Sequence, residues 1–202
     1  MFGGWWQRLQ RRCATCSRVT LGVGIAVVVL MVSAVLAIGG AAGLAWTERL
    51  DFCISCHEMR DNPYKEYKDT IHAKNSKGVR VVCADCHVPR EVGPLLWAKF
   101  NATFELWDHF TGRIDTRKKF LAHRAELATQ VWTQMLETDS QTCRNCHKLD
   151  AFKGESKHAQ AAHARMKTEA ISCIDCHYAI AHDEPEGPGP QELRVKLGLT
   201  KK

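Results

Sequence analysis

Four copies of one pentapeptide constrain this chain more than anything else in it. They are Cys53-Ile-Ser-Cys56-His57, Cys83-Ala-Asp-Cys86-His87, Cys143-Arg-Asn-Cys146-His147 and Cys173-Ile-Asp-Cys176-His177. Each is a Cys-x-x-Cys-His, the attachment pattern of a c-type haem. Two thiols at that spacing reach the two vinyl groups of one porphyrin, and the next residue offers an imidazole to the iron from the same side. A disulfide framework or paired zinc ligands would explain the cysteines. Neither explains a histidine directly after every one of these four pairs. Histidine is 10 of 202 residues, so four chance placements have a probability on the order of 10⁻⁵ under the spacing rule. The implied cofactors are four covalently bound c-type haems.

Attachment of this kind is carried out outside the cytoplasm, so the part that carries the motifs is expected to be exported. The roughly 150 residues after position 50 hold few long apolar runs. Four porphyrins would supply much of the missing interior, which couples folding to cofactor attachment. The net charge of +6 is mild and partly confined to the first 18 residues, so it gives no argument for a nucleic-acid partner.

Residues 1–18 carry Arg8, Arg11, Arg12 and Arg18 and no acidic residue, and residues 19–47 carry no charge at all. As a helix rising about 1.5 Å per residue, that run exceeds the roughly 30 Å of bilayer hydrocarbon. The arginines before it place the N-terminus in the cytoplasm and the rest outside, with Trp5, Trp6 and Trp46 suited to the two interfaces. Gly43-Leu-Ala45 resembles a signal-cleavage site, but the run is about twice the usual signal length, which favours an uncleaved anchor. Gly39-x-x-x-Gly43 would let two such helices approach closely. In a span this rich in small residues the motif is weak, and it is the sole pointer to a homodimer. Cys13-Ala-Thr-Cys16 is followed by serine and falls on the cytoplasmic side, where a reduced pair without haem is expected.

The exported part repeats itself. The first two motifs start 30 residues apart, and so do the last two. Each pair also encloses a further histidine, His72 before Cys83 and His163 before Cys173. The expected fold is therefore mainly α, with one N-terminal transmembrane helix and a small multihaem domain of two dihaem modules around a haem-dominated core. The expected divisions are 1–18, cytoplasmic; 19–47, anchor; 48–186, tetrahaem domain; and 187–202, a polar tail without function. The joining segment, 88–142, predicts two helices. One runs from Pro94 to about Phe110 and is closed by Gly112. The other is capped by Thr116 and buries Phe120, Leu127, Val131 and Met135.

Axial ligands to haem iron are usually His or Met. His57, His87, His147 and His177 come with the motifs. Of the six other histidines, the repeat singles out His72 and His163, and His182 lies five residues beyond His177. His109, His123 and His158 read as ordinary polar residues. Three spare ligands leave one haem short. Met59 lies two residues after His57, and positions i and i+2 do not share a helix face, so one of these two must yield.

Cys53-Ile-Ser-Cys56-His57-Glu58-Met59-Arg60 is similar to the first-haem motif of the NapC/NirT family of membrane-anchored tetrahaem quinol dehydrogenases. Thr70-Ile-His72, Gly78-Val-Arg80, Cys86-His87-Val88-Pro89, Gly112-x-Ile114-Asp115-Thr116 and Cys173-Ile-Asp-Cys176-His177-x-x-Ile180-Ala-His182 carry the same resemblance. It implies Met59 as ligand of the first haem, with His57 displaced. It also implies His182 on the second haem, His72 on the third and His163 on the fourth. His123 falls where some members have lysine. The resemblance further implies a single-pass protein of the bacterial inner membrane with its haem domain in the periplasm. Such a protein takes electrons from menaquinol or ubiquinol and passes them to a periplasmic reductase or soluble cytochrome in anaerobic respiration of the nitrate or nitrite type.

Quinol oxidation releases two electrons and two protons, so it needs an electron acceptor, a base and access from lipid. The first motif starts six residues after the apolar run. Lys99 and Glu105, among Trp97, Phe100, Phe104 and Trp107, read by themselves as an ordinary helix face. The resemblance makes them the quinol site, Glu105 accepting protons and Lys99 holding a quinol oxygen, with Asp108 the alternative carboxylate. The aromatics also suit a helix lying on the membrane surface. Two other functions fit the motifs: an electron wire without its own quinol site, and a terminal reductase acting at the first haem.

Overall fold

The computed structural model describes the backbone of residues 3–199, with side chains from Arg18 onward. The chain forms two units, Met1–Thr47 and Glu48–Lys202. The first is one helix, α1 (Gly3–Thr47). Nothing in its sequence interrupts a helix, for it holds neither proline nor, beyond Arg18, any charge. Its Arg18–Thr47 stretch has a mean hydropathy of 2.8 and buries none of its most apolar window. A helix that is apolar all round and unburied suits lipid rather than water, and 30 residues give a length of about 45 Å, enough to cross a bilayer. Trp5, Trp6, Cys13 and Cys16 lie where only the backbone is described.

The second unit is built from short helices joined by turns, with no strand among the described residues. α2 (Leu50–Cys53) and α3 (His57–Asp61) flank the first motif, and α4 (Pro63–Tyr67) begins on a proline, whose missing N–H costs nothing in a first turn. α5 (Cys83–His87) is the second motif itself. The two long helices are α6 (Val92–Phe110) and α7 (Arg117–Glu137). Gly112 ends α6 at φ +66°, where a Cβ would stand 3.0 Å from Asp115 Oδ2. Thr116 caps α7, its hydroxyl accepting from the Lys119 amide at 3.3 Å. α8 (Gln141–Arg144) leads into the third motif, and α9 (Lys157–Arg165) carries His163.

The apolar core is small. Trp132, Leu136 and Ile174 form its centre, with Ala128, Met135, Tyr178, Leu193 and Leu199 packed around them. On α7 the buried residues are Phe120, Trp132 and Leu136, so the expected face is rotated. Leu127, Val131 and Met135 are only half-buried. Val131 and Met135 also line a cavity of about 240 Å³ with Cys86 and His87.

The expected polar tail folds as well. α10 (Pro190–Lys196) packs on α7, and Arg194 donates to Asp175 Oδ2 at 2.7 Å and to Ser172 Oγ at 2.9 Å. A charge-rich, proline-studded string gave no sign of this, because its docking depends on two leucines and one arginine meeting partners far along the chain.

The repeat read from spacing has a structural counterpart. The thiols of Cys53 and Cys83 lie within hydrogen-bonding reach, as do those of Cys143 and Cys173. In the second motif of each pair, the aspartate accepts from the amide preceding the first cysteine. Asp85 takes Val82 N at 2.8 Å and Asp175 takes Ser172 N at 2.7 Å. Within the second pair, the entry to the third motif is tied to the fourth by Ser140, fully buried at φ +52°, whose hydroxyl accepts from Ile174 N at 3.1 Å.

Candidate haem-binding site

The Cys-x-x-Cys-His motifs each hold their cysteines and histidine within five residues of short helix and turn, and the rest of the fold brings a second histidine to three of them. His87 faces His182 with ring centroids 6.2 Å apart, His147 faces His72 at 6.2 Å, and His177 faces His163 at 6.3 Å. An iron held between two imidazoles by bonds of about 2 Å would put the ring centres roughly 6.3 Å apart once the ring radii are added. The residues therefore fit the group the motifs call for. Two pairings cross between the halves, since His72 comes from the first and faces the third motif, while His182 comes from the end and faces the second.

The surroundings of three of these histidines favour the neutral imidazole that binds metal. Desolvation lowers His72, His182 and, to about 4, His87. His163 is oriented from behind, its Nδ1 2.5 Å from Glu155 Oε1, the carboxylate–histidine arrangement that turns the other ring nitrogen toward a metal. His182 stands near a buried network in which Arg124 pairs with Glu66 and donates to Asp183 O at 2.9 Å. Phe152 lies between His147 and His163, 6.1 and 5.4 Å from their rings.

The first motif is built differently. Its neighbouring histidine is His109, from the end of α6, with its ring 6.0 Å from that of His57. Glu58, only 3 % exposed, places Oε1 2.7 Å from His109 Nδ1 and 3.2 Å from His57 Nε2. Burial alone would raise the Glu58 pKa, but a backbone hydrogen bond and His109 outweigh it and hold it below the ordinary carboxylate value. Met59 is half-buried beside them. Sequence reasoning passed over Glu58 and set His109 aside as a surface residue. Neither has a repeat equivalent or a motif of its own, and what joins them is a contact across 51 positions.

Lys99 and Glu105 lie on α6 close enough to Cys53 to act on it electrostatically, Lys99 lowering and Glu105 raising its pKa. Although much of Glu105 is exposed, the protein around its carboxyl desolvates it, and with Asp108 adding like charge its pKa is raised. Asp108 is already engaged, accepting from Arg113 at 3.0 Å. Trp97, Phe100, Phe104 and Trp107 are all more than half exposed. Of the remaining histidines, His123 bonds Lys119 O through Nδ1 at 3.0 Å, and His158 is exposed.

The NapC/NirT cytochrome c family model, described as its N-terminal region, matches residues 14–187. The denitrification system component NirT of Stutzerimonas stutzeri is 44% identical over 181 residues, covering 89% of each chain. The cytochrome c-type protein NapC of Haemophilus influenzae is 40% identical over 172 residues, 84% of this chain and 85% of that one. A putative tetraheme cytochrome-c type protein of Allochromatium vinosum is 42% identical over 149 residues, 72% of this chain and 80% of that one. No solved structure matches. With four attachment motifs, paired histidines at metal-bridging distance and an N-terminal helix long enough to span a bilayer, this chain belongs to the NapC/NirT cytochrome c family.

Proposed function

We propose that this chain is a membrane-anchored tetrahaem quinol dehydrogenase, which oxidises quinol beside its first haem and passes the electrons singly to a periplasmic reductase. The observation that supports the proposal is that Lys99 and Glu105 share one helix, α6, within electrostatic range of Cys53 in the first attachment motif. The Lys99 ammonium would hold a quinol oxygen, and the Glu105 carboxylate would take its proton. A raised carboxyl pKa makes Glu105 a better acceptor than an ordinary carboxylate. The exposed aromatic rings of α6 would form an apolar rim open to lipid. The haem itself supplies a one-electron acceptor.

Export of the electrons has support in the relay of neighbouring motifs. The Cys53–Cys83 and Cys143–Cys173 contacts join the motifs in pairs, and Cys86 lies within electrostatic range of Cys143 and Cys146, which joins the pairs. Relatives named as a denitrification component and as NapC favour a reductase of an anaerobic respiratory chain as the recipient. On this reading the arginine-rich N-terminus is cytoplasmic and the haem unit periplasmic.

The test is quinol-driven haem reduction by purified protein in detergent, followed by absorbance with a menaquinol or ubiquinol analogue. Rapid reduction is expected, slowed in Glu105→Gln. Failure of both quinols to reduce haems that dithionite does reduce would leave an electron wire fed by another protein.

A further inference from the structure

We propose that Glu58 and His109 form a clamp that holds the imidazole of His57 off the iron of the first haem. The inference rests on the tetrahaem reading and concerns how one of the four sites differs from the rest. By ring spacing alone, His57 and His109 look like a fourth axial pair, 6.0 Å apart against 6.2–6.3 Å in the others. The atoms between them say otherwise. In an imidazole–iron–imidazole sandwich bonded through both Nε2 atoms, Nε2 of one ring and Nδ1 of the other are about 6 Å apart, with the iron near the line joining them. Here Glu58 Oε1 is 3.2 Å from His57 Nε2 and 2.7 Å from His109 Nδ1. These two contacts cap the separation of those nitrogens just below the span a sandwiched iron needs, so the two rings cannot hold iron in that arrangement while both touch Glu58. A carboxylate, not an iron, bridges this pair.

The clamp is anchored from both sides. Glu58 is nearly fully buried, and its backbone carbonyl accepts from the Asn62 side chain at 2.9 Å, while Asn62 is itself held by Arg117 at 3.3 Å. His109 sits in the last turn of α6, fixed where Gly112 N bonds His109 O at 3.1 Å. Cys56 Sγ lies within 4.8 Å of the ligand atoms of Glu58 and His109, but that sulfur is committed to the porphyrin, so the trio is not a separate metal site. With His57 engaged, the iron is left to Met59, and a thioether ligand favours the reduced iron more than a second imidazole does. That suits the haem which first accepts an electron.

The test is low-temperature electron paramagnetic resonance and near-infrared magnetic circular dichroism of the oxidised full-length protein, with haem content measured on each sample. Wild type is expected to hold four haems per chain, three with the bis-imidazole signature and one without it. Glu58→Ala and His109→Ala are each expected to release His57, so that the fourth haem gains histidine ligation and loses its sensitivity to Met59→Leu. Wild type with four bis-imidazole haems would overturn the clamp, whatever the variants do. So would His109→Ala that loses one bis-imidazole haem, since His109 would then be a ligand. Unchanged spectra in both variants at full haem content would overturn it too. A haem count below four would instead count against the tetrahaem reading.

Discussion

The first and fourth motif sites are assembled from the same parts, a motif histidine, a second histidine and a glutamate on the second histidine's Nδ1, and they put them together differently. At the fourth, Glu155 lies behind His163 at 2.5 Å, and the His163 and His177 rings face each other at 6.3 Å. At the first, Glu58 reaches His109 at 2.7 Å but also stands 3.2 Å from His57 Nε2. Behind the ring, a carboxylate steers a ligand toward metal. Between the rings, it takes the metal's place. The pockets differ in enclosure as well. Arg194 and Ser172 enclose Asp175 at the fourth motif with side chains that are 13 % exposed for Arg194 and 3 % for Asp175. The first opens on the unburied aromatic face of α6. The proposed function fits that contrast, with the enclosed pocket suited to an electron carrier and the open one to a reactant.

The largest effect expected from breaking this contrast is at the enclosed pocket. Arg194→Ala leaves Asp175 buried without its partner, and loss of one member of a buried pair costs about 3–5 kcal/mol. Thermal unfolding should show that loss, with the fourth haem becoming labile first and the quinol reaction at the first little affected. Retained stability would mean that α10 is dispensable. Next in size is Glu105→Gln, which should slow quinol-driven reduction by about 10²-fold, the scale of a lost general base, while leaving dithionite reduction intact. On the proposed reading Glu105 works deprotonated, and burial raises its pKa, so the wild-type rate should fall on acidification at a higher pH than an ordinary carboxylate would give. The variant should lack that inflection, and an unaltered profile would move the proton acceptor elsewhere.

The attachment motifs were legible because their pattern is local. Two cysteines and a histidine within five residues need no knowledge of the fold, and the anchor is equally a matter of one uninterrupted run. The 30-residue spacing also exposed His72 and His163 as equivalents. What the sequence concealed lies in contacts between distant segments. Glu58 and His109 meet across the first motif and the end of α6, and Leu193 and Arg194 of the supposed tail complete the core around Ile174 and Asp175. The face of α7 was misread for a related reason. Periodicity picks out an apolar stripe, but Val131 and Met135 in it also line the cavity beside Cys86, and Met135 touches the core as well. A chain whose interior is partly cofactor spreads its apolar residues over two different partners, and periodicity cannot divide them.

The smallest effect expected is also the one that compares the pockets directly, because the same substitution is made in each. Glu155→Gln keeps the shape and a hydrogen-bonding oxygen behind His163 while removing the charge that makes the imidazole more electron-rich. The fourth haem should keep both ligands, and its potential should rise modestly, since a less basic imidazole stabilises the oxidised iron less. Glu58→Gln removes charge from between two rings, so its effect should be on ligation and not only on potential, with part of the first haem turning to histidine. Spectroelectrochemistry on both variants reads the two quantities at once. A potential shift without a spectral change at Glu155, and a spectral change at Glu58, would show that position relative to the ring decides what a carboxylate does. The same response from both variants would erase the distinction, and His109 would then have to be treated as a ligand like His163.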